Sequence, residues 1–248
     1  LNAWLKEKRN ESLGLIDFEP YTPEKLNKLA FMCATGSGKS TLINLIPRFY
    51  DATDGDVLVD GVNVKEYDIE SLNNKLGYVP QKAVMFSGTV SSNVAYGNNG
   101  RDNYSADDIK QAIKIAQGTE FVEKMENKYE GAIAQGGSNI SGGQKQRLAI
   151  ARAVCRKPEI YIFDDSFSAL DYKTDRVLRS ELKKETAGTT TLIVAQRIGT
   201  IKDADCIIVL DKGNMVGKGT HSELMKNCEV YQQIALSQLS KEELGNDE

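Results

Sequence analysis

The chain lacks several features that mark particular classes of protein. Its net charge of −4 and its pI of about 5.3 exclude the basic surface that non-specific nucleic-acid binding requires. No apolar run is long enough to cross a bilayer. The first residues, LNAWLKEKRN, lack the apolar core of a signal peptide. We therefore expect a folded domain that binds no nucleic acid and has no transmembrane segment of its own.

Cysteine and histidine are also scarce. The four cysteines are scattered and form no C-x-x-C pair: Cys33, Cys155, Cys206 and Cys228. Such spacing predicts reduced, mostly buried thiols. The only histidine, His221, lies in GTHSELMKN, which predicts a turn and then a helix capped by Thr220 or Ser222.

Short apolar runs alternate with helical patterns along most of the chain. Strands are predicted at KLAFMC (28–33), KLGYVPQ (75–81), EIYIFDD (159–165), TTLIVAQ (190–196) and ADCIIVL (204–210). Helices are predicted at 39–49, 105–116, 141–156, 172–185 and from 220 onward, and Asp60-Gly61 predicts a hairpin turn. This alternation predicts one sizeable α/β domain, with a largely parallel sheet between helices.

The stretch FMCATGSGKSTLINL (31–45) resembles the phosphate-binding pattern G-x-x-x-x-G-K-[ST], with Cys33 at the first glycine position. A strand, a glycine-rich turn and a helix offer backbone N–H groups to phosphate, Lys39 adds a positive charge, and Ser40 can ligate Mg²⁺. Cys33 is expected to weaken binding, unless it is only the last buried residue of the strand. The predicted nucleotide contacts are Cys33, Ala34, Thr35, Gly36, Ser37, Gly38, Lys39, Ser40 and Thr41.

Two downstream stretches make the loop more credible. IYIFDD is a buried strand ending in an acid, and Asp164 is the candidate for a further Mg²⁺ contact. A helix cap is the alternative role for either aspartate. ISGGQKQRLAIARA begins a helix with Ser141 and a glycine pair, which is a second helix end suited to an anion.

Together these motifs resemble the nucleotide-binding domain of an ABC transporter of the exporter type, from about residue 29 to 240. Residues 33–41 match the Walker A loop, Gln81 the Q-loop, Asp164 the Walker B aspartate and SALD (168–171) the D-loop. Ser141, Gly142, Gly143 and Gln144 match the signature, which binds the nucleotide of a second domain. GAIAQGGSN (131–139) resembles the loop that touches the membrane domain, with Gln135 in place of an acid.

The resemblance implies a P-loop NTPase fold with a mostly parallel sheet flanked by helices. The expected domains are an irregular segment (1–27), a RecA-like core (28–81 and 156–219), a helical subdomain (82–155), C-terminal helices (220–240) and an acidic tail (241–248). The family's antiparallel strands before the loop are expected to be truncated. Tyr21 is the candidate for stacking on adenine, and a plain loop tyrosine is the alternative.

Two predicted catalytic positions depart from the family pattern. Asp165 stands where the family has a glutamate base, and Gln196 stands where it has a switch histidine. Aspartate is one methylene shorter, and a glutamine amide carries neither a positive charge nor a transferable proton. A small displacement at such a site lowers the rate by roughly 10²-fold. We therefore expect ATP to be held and hydrolysed slowly, as in the degenerate half of a heterodimeric exporter.

The resemblance implies an ATPase that uses ATP and Mg²⁺, with Ser40, Gln81 and Asp164 at the metal and Asp165, Gln81 and Gln196 at the reaction. D-loop residues Ser168 and Asp171 are assigned to the dimer interface. Its partners would be a transmembrane domain, on the same or another chain, and a second ATPase domain in a heterodimer. Its place would be the cytoplasmic face of the cell membrane.

Other functions remain open. A regulatory or structural subunit that binds ATP without turnover would share every binding residue. A chromosome or DNA-repair ATPase of the same family is disfavoured, because no coiled-coil insertion or basic cleft is visible. A P-loop kinase is disfavoured because a kinase has no use for SGGQ.

Overall fold

The computed structural model of the chain describes residues 28–33, 38–97 and 104–244, with side chains for 28–32, 38–97 and 104–238. Tyr21, the rest of 1–27, residues 34–37 and the end of the predicted tail lie outside these ranges. The strands are β1 (Lys28–Cys33), β2 (Leu58–Val59), β3 (Val62–Asn63), β4 (Leu76–Val79), β5 (Gly88–Thr89), β6 (Ala132–Ile133), β7 (Ile160–Asp164), β8 (Thr190–Ala195), β9 (Cys206–Asp211) and β10 (Asn214–Gly219). The helices are α1 (Lys39–Asn44), α2 (Ile69–Asn74), α3 (Val90–Val94), α4 (Ala106–Ile115), α5 (Thr119–Glu123), α6 (Gly142–Cys155), α7 (Tyr172–Glu185), α8 (Ile198–Ile201), α9 (His221–Asn227) and α10 (Glu229–Leu244).

The chain folds as two compact units. The split unit contains the described residues up to Ile69 and those from Thr190 onward, and the central unit spans Glu70–Thr189. In the split unit β1 pairs in parallel with β8 on one side and with β9 on the other, and β10 pairs antiparallel with β9. In the central unit β4 and β7 pair in parallel. The predicted α/β fold with a mostly parallel sheet is therefore confirmed.

Strand β1 lies between two parallel neighbours, and its residues from Leu29 to Met32 are buried on both faces of the sheet. Ala30 and Met32 are fully buried, and Phe31 pairs with Val194 of β8 and Ile208 of β9. A strand covered on both faces needs a continuous apolar run instead of alternation, and LAFM supplies it. This strand leads directly toward the glycine-rich loop.

Helix ends follow the predicted capping chemistry. Ser105 caps α4 in a reciprocal pair with Asp108, and Thr220 caps α9 in a reciprocal pair with Glu223. Asp171 caps α7, which has the predicted bounds. Thr220, and not Ser222, is thus the cap before the helix that contains His221.

Helix α1 and strand β10 are among the elements that differ from the sequence-based prediction. Helix α1 ends at Asn44 instead of residue 49, because the residue before Pro47 disfavours helical geometry and Arg48 takes a φ of 58°. Strand β10 was not predicted at all. It follows a two-residue turn, Lys212-Gly213, with φ values of 48° and 84°, which close a tight hairpin with β9.

The predicted hairpin at Asp60-Gly61 is present between β2 and β3, with φ values of 52° and 78° at these two residues. Cys155, Cys206 and Cys228 are buried and form no disulfide with one another. Within the described part of the chain, no helix has both the length and the apolar character of a bilayer span.

Candidate functional site

The start of α1 in the split unit is the described part of the predicted phosphate loop. Gly38 precedes the helix with a φ of 92°, a conformation that suits glycine and strains other residues. Lys39 is buried, Ser40 is half-buried and Thr41 is exposed. Since Gly38 has no side chain, no side-chain cap occupies this helix end. The prediction for residues 34–37 and for the Cys33 side chain falls outside the described residues.

In the central unit, β7 leads to the paired acids. All five of its residues are buried, and Asp164 and Asp165 are 5% and 8% exposed. Tyr78 of the neighbouring β4 hydrogen-bonds to Asp164, and burial together with this carboxylate raises the pKa of Tyr78 to about 12. An acidic group therefore lies at the end of a buried strand, as the sequence predicts.

Asp165 contacts a second predicted catalytic residue. The Nε2 of Gln81 donates to the Oδ2 of Asp165 at 3.2 Å. Asp165 also has a φ of 45°, in the left-handed region that aspartate tolerates better than most residues. The fully buried Ser166 donates from Oγ to the carbonyl of Val79 at 2.9 Å, which fixes the chain directly after the acids. The structure thus brings Gln81 and Asp165 together.

The predicted signature residues form the N-terminus of α6. Ser141 Oγ accepts from the backbone N–H of Gln144 at 3.3 Å, and Gln144 Oε1 accepts from the N–H of Ser141 at 2.8 Å. Ser141 and Gly142 are exposed, whereas Gly143 and Gln144 are half-buried. This end of α6 is ordered by its own side chains and faces solvent.

The predicted D-loop residues have distinct local roles. Ser168 donates from Oγ to the carbonyl of Asp165 at 2.9 Å. Asp171 Oδ1 accepts from the N–H of Thr174 at 2.9 Å, and hydrogen bonds from Thr174 lower the pKa of Asp171. Both side chains are exposed in this chain, and both hold the turn that follows the acids.

Arg152 was missed by the sequence reasoning, yet it holds the segment after the predicted Q-loop. It donates from Nε to the carbonyl of Asn93 at 2.8 Å and from Nη1 to the carbonyl of Val84 at 3.1 Å. Its guanidinium lies 5.6 Å from the ring centres of Phe86 and Tyr96. Burial lowers the pKa of Arg152 to about 10. No local pattern identifies this role, because the partners lie about 60 residues away.

The predicted switch residue, Gln196, lies in the split unit directly after β8. Its side chain is exposed. Its backbone carbonyl accepts from Nε2 of Gln238 at 2.6 Å, and Gln238 Oε1 accepts from the N–H of Ile198 at 2.7 Å. Gln238 is therefore a second residue that the sequence reasoning missed.

The family model described as ABC transporter matches residues 22–168, which is more than half of the chain. This chain belongs to the ABC transporter family. The family predicted from its motifs is thereby confirmed. Membership does not test the roles predicted for individual residues or the heterodimer, which stay predictions.

Relatives within the ABC transporter family extend the match. The chain is 43% identical over 236 residues, 95% of its length, to an ABC transporter ATP-binding protein of Bacillus subtilis. It is 40% identical over 206 residues, 83% of its length, to the ATP-dependent lipid A-core flippase of Vibrio vulnificus. It covers 40% and 35% of these two relatives, so it spans well under half of their length.

A solved structure shows the same fold. A bacterial Atm1-family ABC exporter with ATP bound superposes with a TM-score of 0.84 and 34% identity. The match covers 96% of this chain and 41% of the exporter chain. The P-loop ATPase fold predicted for the chain is confirmed by this similarity.

Proposed function

We propose that the chain is the ATP-binding part of an ABC exporter, which couples ATP binding and hydrolysis at a dimer interface to transport across a membrane. The observation that carries this proposal is the complete order of family motifs in a chain that belongs to the family. Similarity to the lipid A-core flippase and to the Atm1-family exporter favours export. From the same resemblance we infer that the chain lies on the cytoplasmic face of the membrane, against a transmembrane domain.

ATP would be bound by the phosphate loop, with Lys39 near the phosphates and the N–H groups from residue 36 to Thr41 as donors. The family resemblance assigns Mg²⁺ to Ser40, Gln81 and Asp164, and their hydroxyl, amide and carboxylate oxygens are ligands of the kind that Mg²⁺ takes. When bound, Mg²⁺ would neutralise charge that develops on the phosphates.

The site that this chain contributes would turn over slowly. Asp165 has a shorter side chain than the family's glutamate and accepts a hydrogen bond from Gln81 at 3.2 Å, so the carboxylate is directed to a neighbour within its own chain. Gln196 can donate a hydrogen bond to a phosphate oxygen but cannot carry a positive charge. Both changes weaken proton transfer while they preserve ATP binding.

The N-terminus of α6, which contains the predicted signature residues, would contact the nucleotide bound by the second ATPase domain. Ser141 and Gly142 are exposed at the start of α6, and exposed Ser168 and Asp171 fit a role at the same dimer interface. An altered base and switch beside an intact signature fit a heterodimer in which this chain completes the faster site of its partner.

The test compares ATP binding with ATP turnover by the chain assembled as a dimer, because the proposed site is completed by a second ATPase domain. We expect Mg-ATP to bind and hydrolysis to be slow, and we expect the double variant Asp165→Glu/Gln196→His to hydrolyse ATP at least about tenfold faster. The matched control is Asp165→Asn/Gln196→His, which restores the switch without a base and should show no gain.

Two results would contradict the proposal. Absence of Mg-ATP binding at millimolar concentration would remove the nucleotide site altogether. Brisk turnover by the unmodified chain that Asp165→Asn abolishes would show that the site is fully competent. Binding without turnover in every variant would favour the regulatory ATP-binding subunit.

A further inference from the structure

The chain between β8 and α8 contains the predicted switch residue and bonds to a side chain of α10. Gln238 of α10 donates to the carbonyl of Gln196 at 2.6 Å and accepts from the N–H of Ile198 at 2.7 Å. One amide thus satisfies a carbonyl and an N–H two residues apart. Both bonds are to backbone atoms, so neither involves the Gln196 side chain.

The N–H of Ile198 needs such a partner. Ile198 is the first residue of α8, and first-turn N–H groups have no acceptor within their own helix. The N-cap residue, Arg197, makes no side-chain capping bond. Gln238 therefore acts as the cap of α8, supplied from a helix about 40 residues later.

Helix α10 presents Gln238 from a fixed position. Tyr231 and Ala235 are fully buried, and with Gln238 they are spaced at i, i+4 and i+7, which places them on one face of the helix. The Tyr231 hydroxyl lies 2.7 Å from Nδ1 of His221, and Gln232 Nε2 donates to the carbonyl of Met225 at 3.0 Å. These bonds set the register of α10 against α9.

The residues on both sides of the switch position are also fixed. Ala195 is buried and pairs with Met32 of β1. Ile198 and Ile201 are buried at 5% and 0% exposure. Gln196 and Arg197 are the exposed residues between these two anchored segments, and the orientation of the backbone at Gln196 sets the direction of its side chain.

We propose that Gln238 is a positioning residue for the switch: it fixes the backbone at Gln196 and thereby the place of the switch side chain. The inference rests on the proposed function in one respect, namely that Gln196 acts on bound nucleotide. The C-terminal helix is then a working part of the ATP site, although no family motif lies in it.

The two hydrogen bonds from Gln238 to Gln196 and Ile198 are called the clamp, and the first test measures this clamp without nucleotide. In Gln238→Ala, amide hydrogen exchange at Ile198 should become at least about tenfold faster, because its acceptor is lost. The matched control is Gln233→Ala in the same helix, whose amide donates only to Glu229 one turn earlier, at 3.1 Å. Exchange at Ile198 should be unchanged in this control. Unchanged exchange at Ile198 in Gln238→Ala would overturn the inference.

The second test asks whether the clamp serves the reaction. Gln238→Glu keeps the acceptor for Ile198 but sets a carboxylate against the Gln196 carbonyl. Its single-turnover ATP hydrolysis should fall several-fold at about pH 8 and recover in part as the pH is lowered toward about 4.5, close to the ordinary pKa of glutamate, where a protonated carboxyl can donate again. Gln238→Ala should lose kcat without a change in the KM for Mg-ATP and should show no recovery at low pH. Equal pH profiles for the two variants would contradict a positioning role.

The two proposals can fail separately. If the unmodified chain binds no Mg-ATP, the proposed function fails and the clamp serves no reaction, while exchange at Ile198 still decides whether the clamp exists. If ATP is hydrolysed and neither Gln238 variant alters kcat, the positioning role is wrong and the proposed function stands.

Discussion

Two buried strands, β7 and β8, each lead to a residue that departs from the family pattern, and the two ends are held in different ways. After β7, Asp165 is itself buried and its carboxylate accepts from Gln81 at 3.2 Å. After β8, Gln196 is exposed, and only its backbone is clamped by Gln238. Asp165 is thus held through its side chain, whereas the bond from Gln238 holds Gln196 through its backbone.

Because of this difference, a substitution at Asp165 should change both stability and any catalytic role, whereas a substitution at Gln196 should have little effect on stability. A substitution at Asp165 alters a buried carboxylate in a left-handed conformation, so it changes stability together with any catalytic role. A substitution at Gln196 leaves both clamp bonds intact, because they involve backbone atoms of Gln196 and Ile198. The residue at position 196 can therefore vary with less effect on stability than the residue at position 165.

The largest effect is expected at the scaffold after β7. Ser166→Ala removes a buried hydroxyl that donates to the carbonyl of Val79, and should lower the free energy of unfolding by about 1–3 kcal/mol. The measurement is urea denaturation. Ser168→Ala is the matched control, since its hydroxyl also donates to a carbonyl but its side chain is exposed, and it should cost less than about 1 kcal/mol. Equal losses would mean that burial does not distinguish them.

Next in size is the backbone effect at Asp165. Asp165→Glu places a longer side chain at a φ of 45°, and should lower the free energy of unfolding by about 1 kcal/mol. Asp165→Asn should be closer to neutral, because asparagine tolerates this conformation and its amide oxygen can still accept from Gln81. A glutamate variant as stable as the parent in urea would show that the backbone relaxes.

A smaller effect concerns the titration of Tyr78. Its folded pKa of about 12 exceeds the usual 10, so its contribution to stability is fully present below pH 10 and is lost as the pH rises toward 12. Asp164→Asn should lower this pKa but leave it above 10, because burial is the largest of the causes and remains.

Ultraviolet titration of tyrosinate measures the Tyr78 pKa, and Tyr78→Phe assigns the signal. Tyr231 in the split unit is the internal control, since burial raises its pKa to about 12 as well and Asp164 is not among the causes. A Tyr78 pKa that falls to its ordinary value in Asp164→Asn would make the carboxylate the main cause.

The smallest effect is expected at the switch. Gln196→His should change the free energy of unfolding by no more than about 0.5 kcal/mol, because the side chain is exposed and the clamp is made by the backbone. Thermal and urea denaturation would both report it. A loss of more than about 1 kcal/mol would erase the contrast with Asp165.

Local patterns in the sequence predict the fold well where the deciding contacts are local. The apolar run of β1, the Asp60-Gly61 turn and the cap of α7 depend on neighbours within a few residues. The same patterns do not reveal β10, whose pairing depends on the long β9 beside it and not on its own glycine-rich and lysine-containing sequence.

The site shows the same limit. Within each motif the residues are neighbours in sequence, so the motifs can be predicted. The roles assigned to their residues await the experiments above. Arg152 and Gln238 act through side-chain bonds to backbone groups about 40 to 70 residues away, and such bonds leave no periodicity or spacing in the sequence. Only the folded chain brings these partners together.

The reciprocal cap at the start of α6 has a consequence for the signature serine. Capping uses a lone pair of Ser141, because its oxygen accepts from Gln144. A hydroxyl also has one proton to give, and no bond described for this part of the chain consumes it. The same hydroxyl can thus cap its helix as an acceptor and donate a hydrogen bond to an anionic oxygen. Threonine would retain both abilities, and alanine would remove both at once.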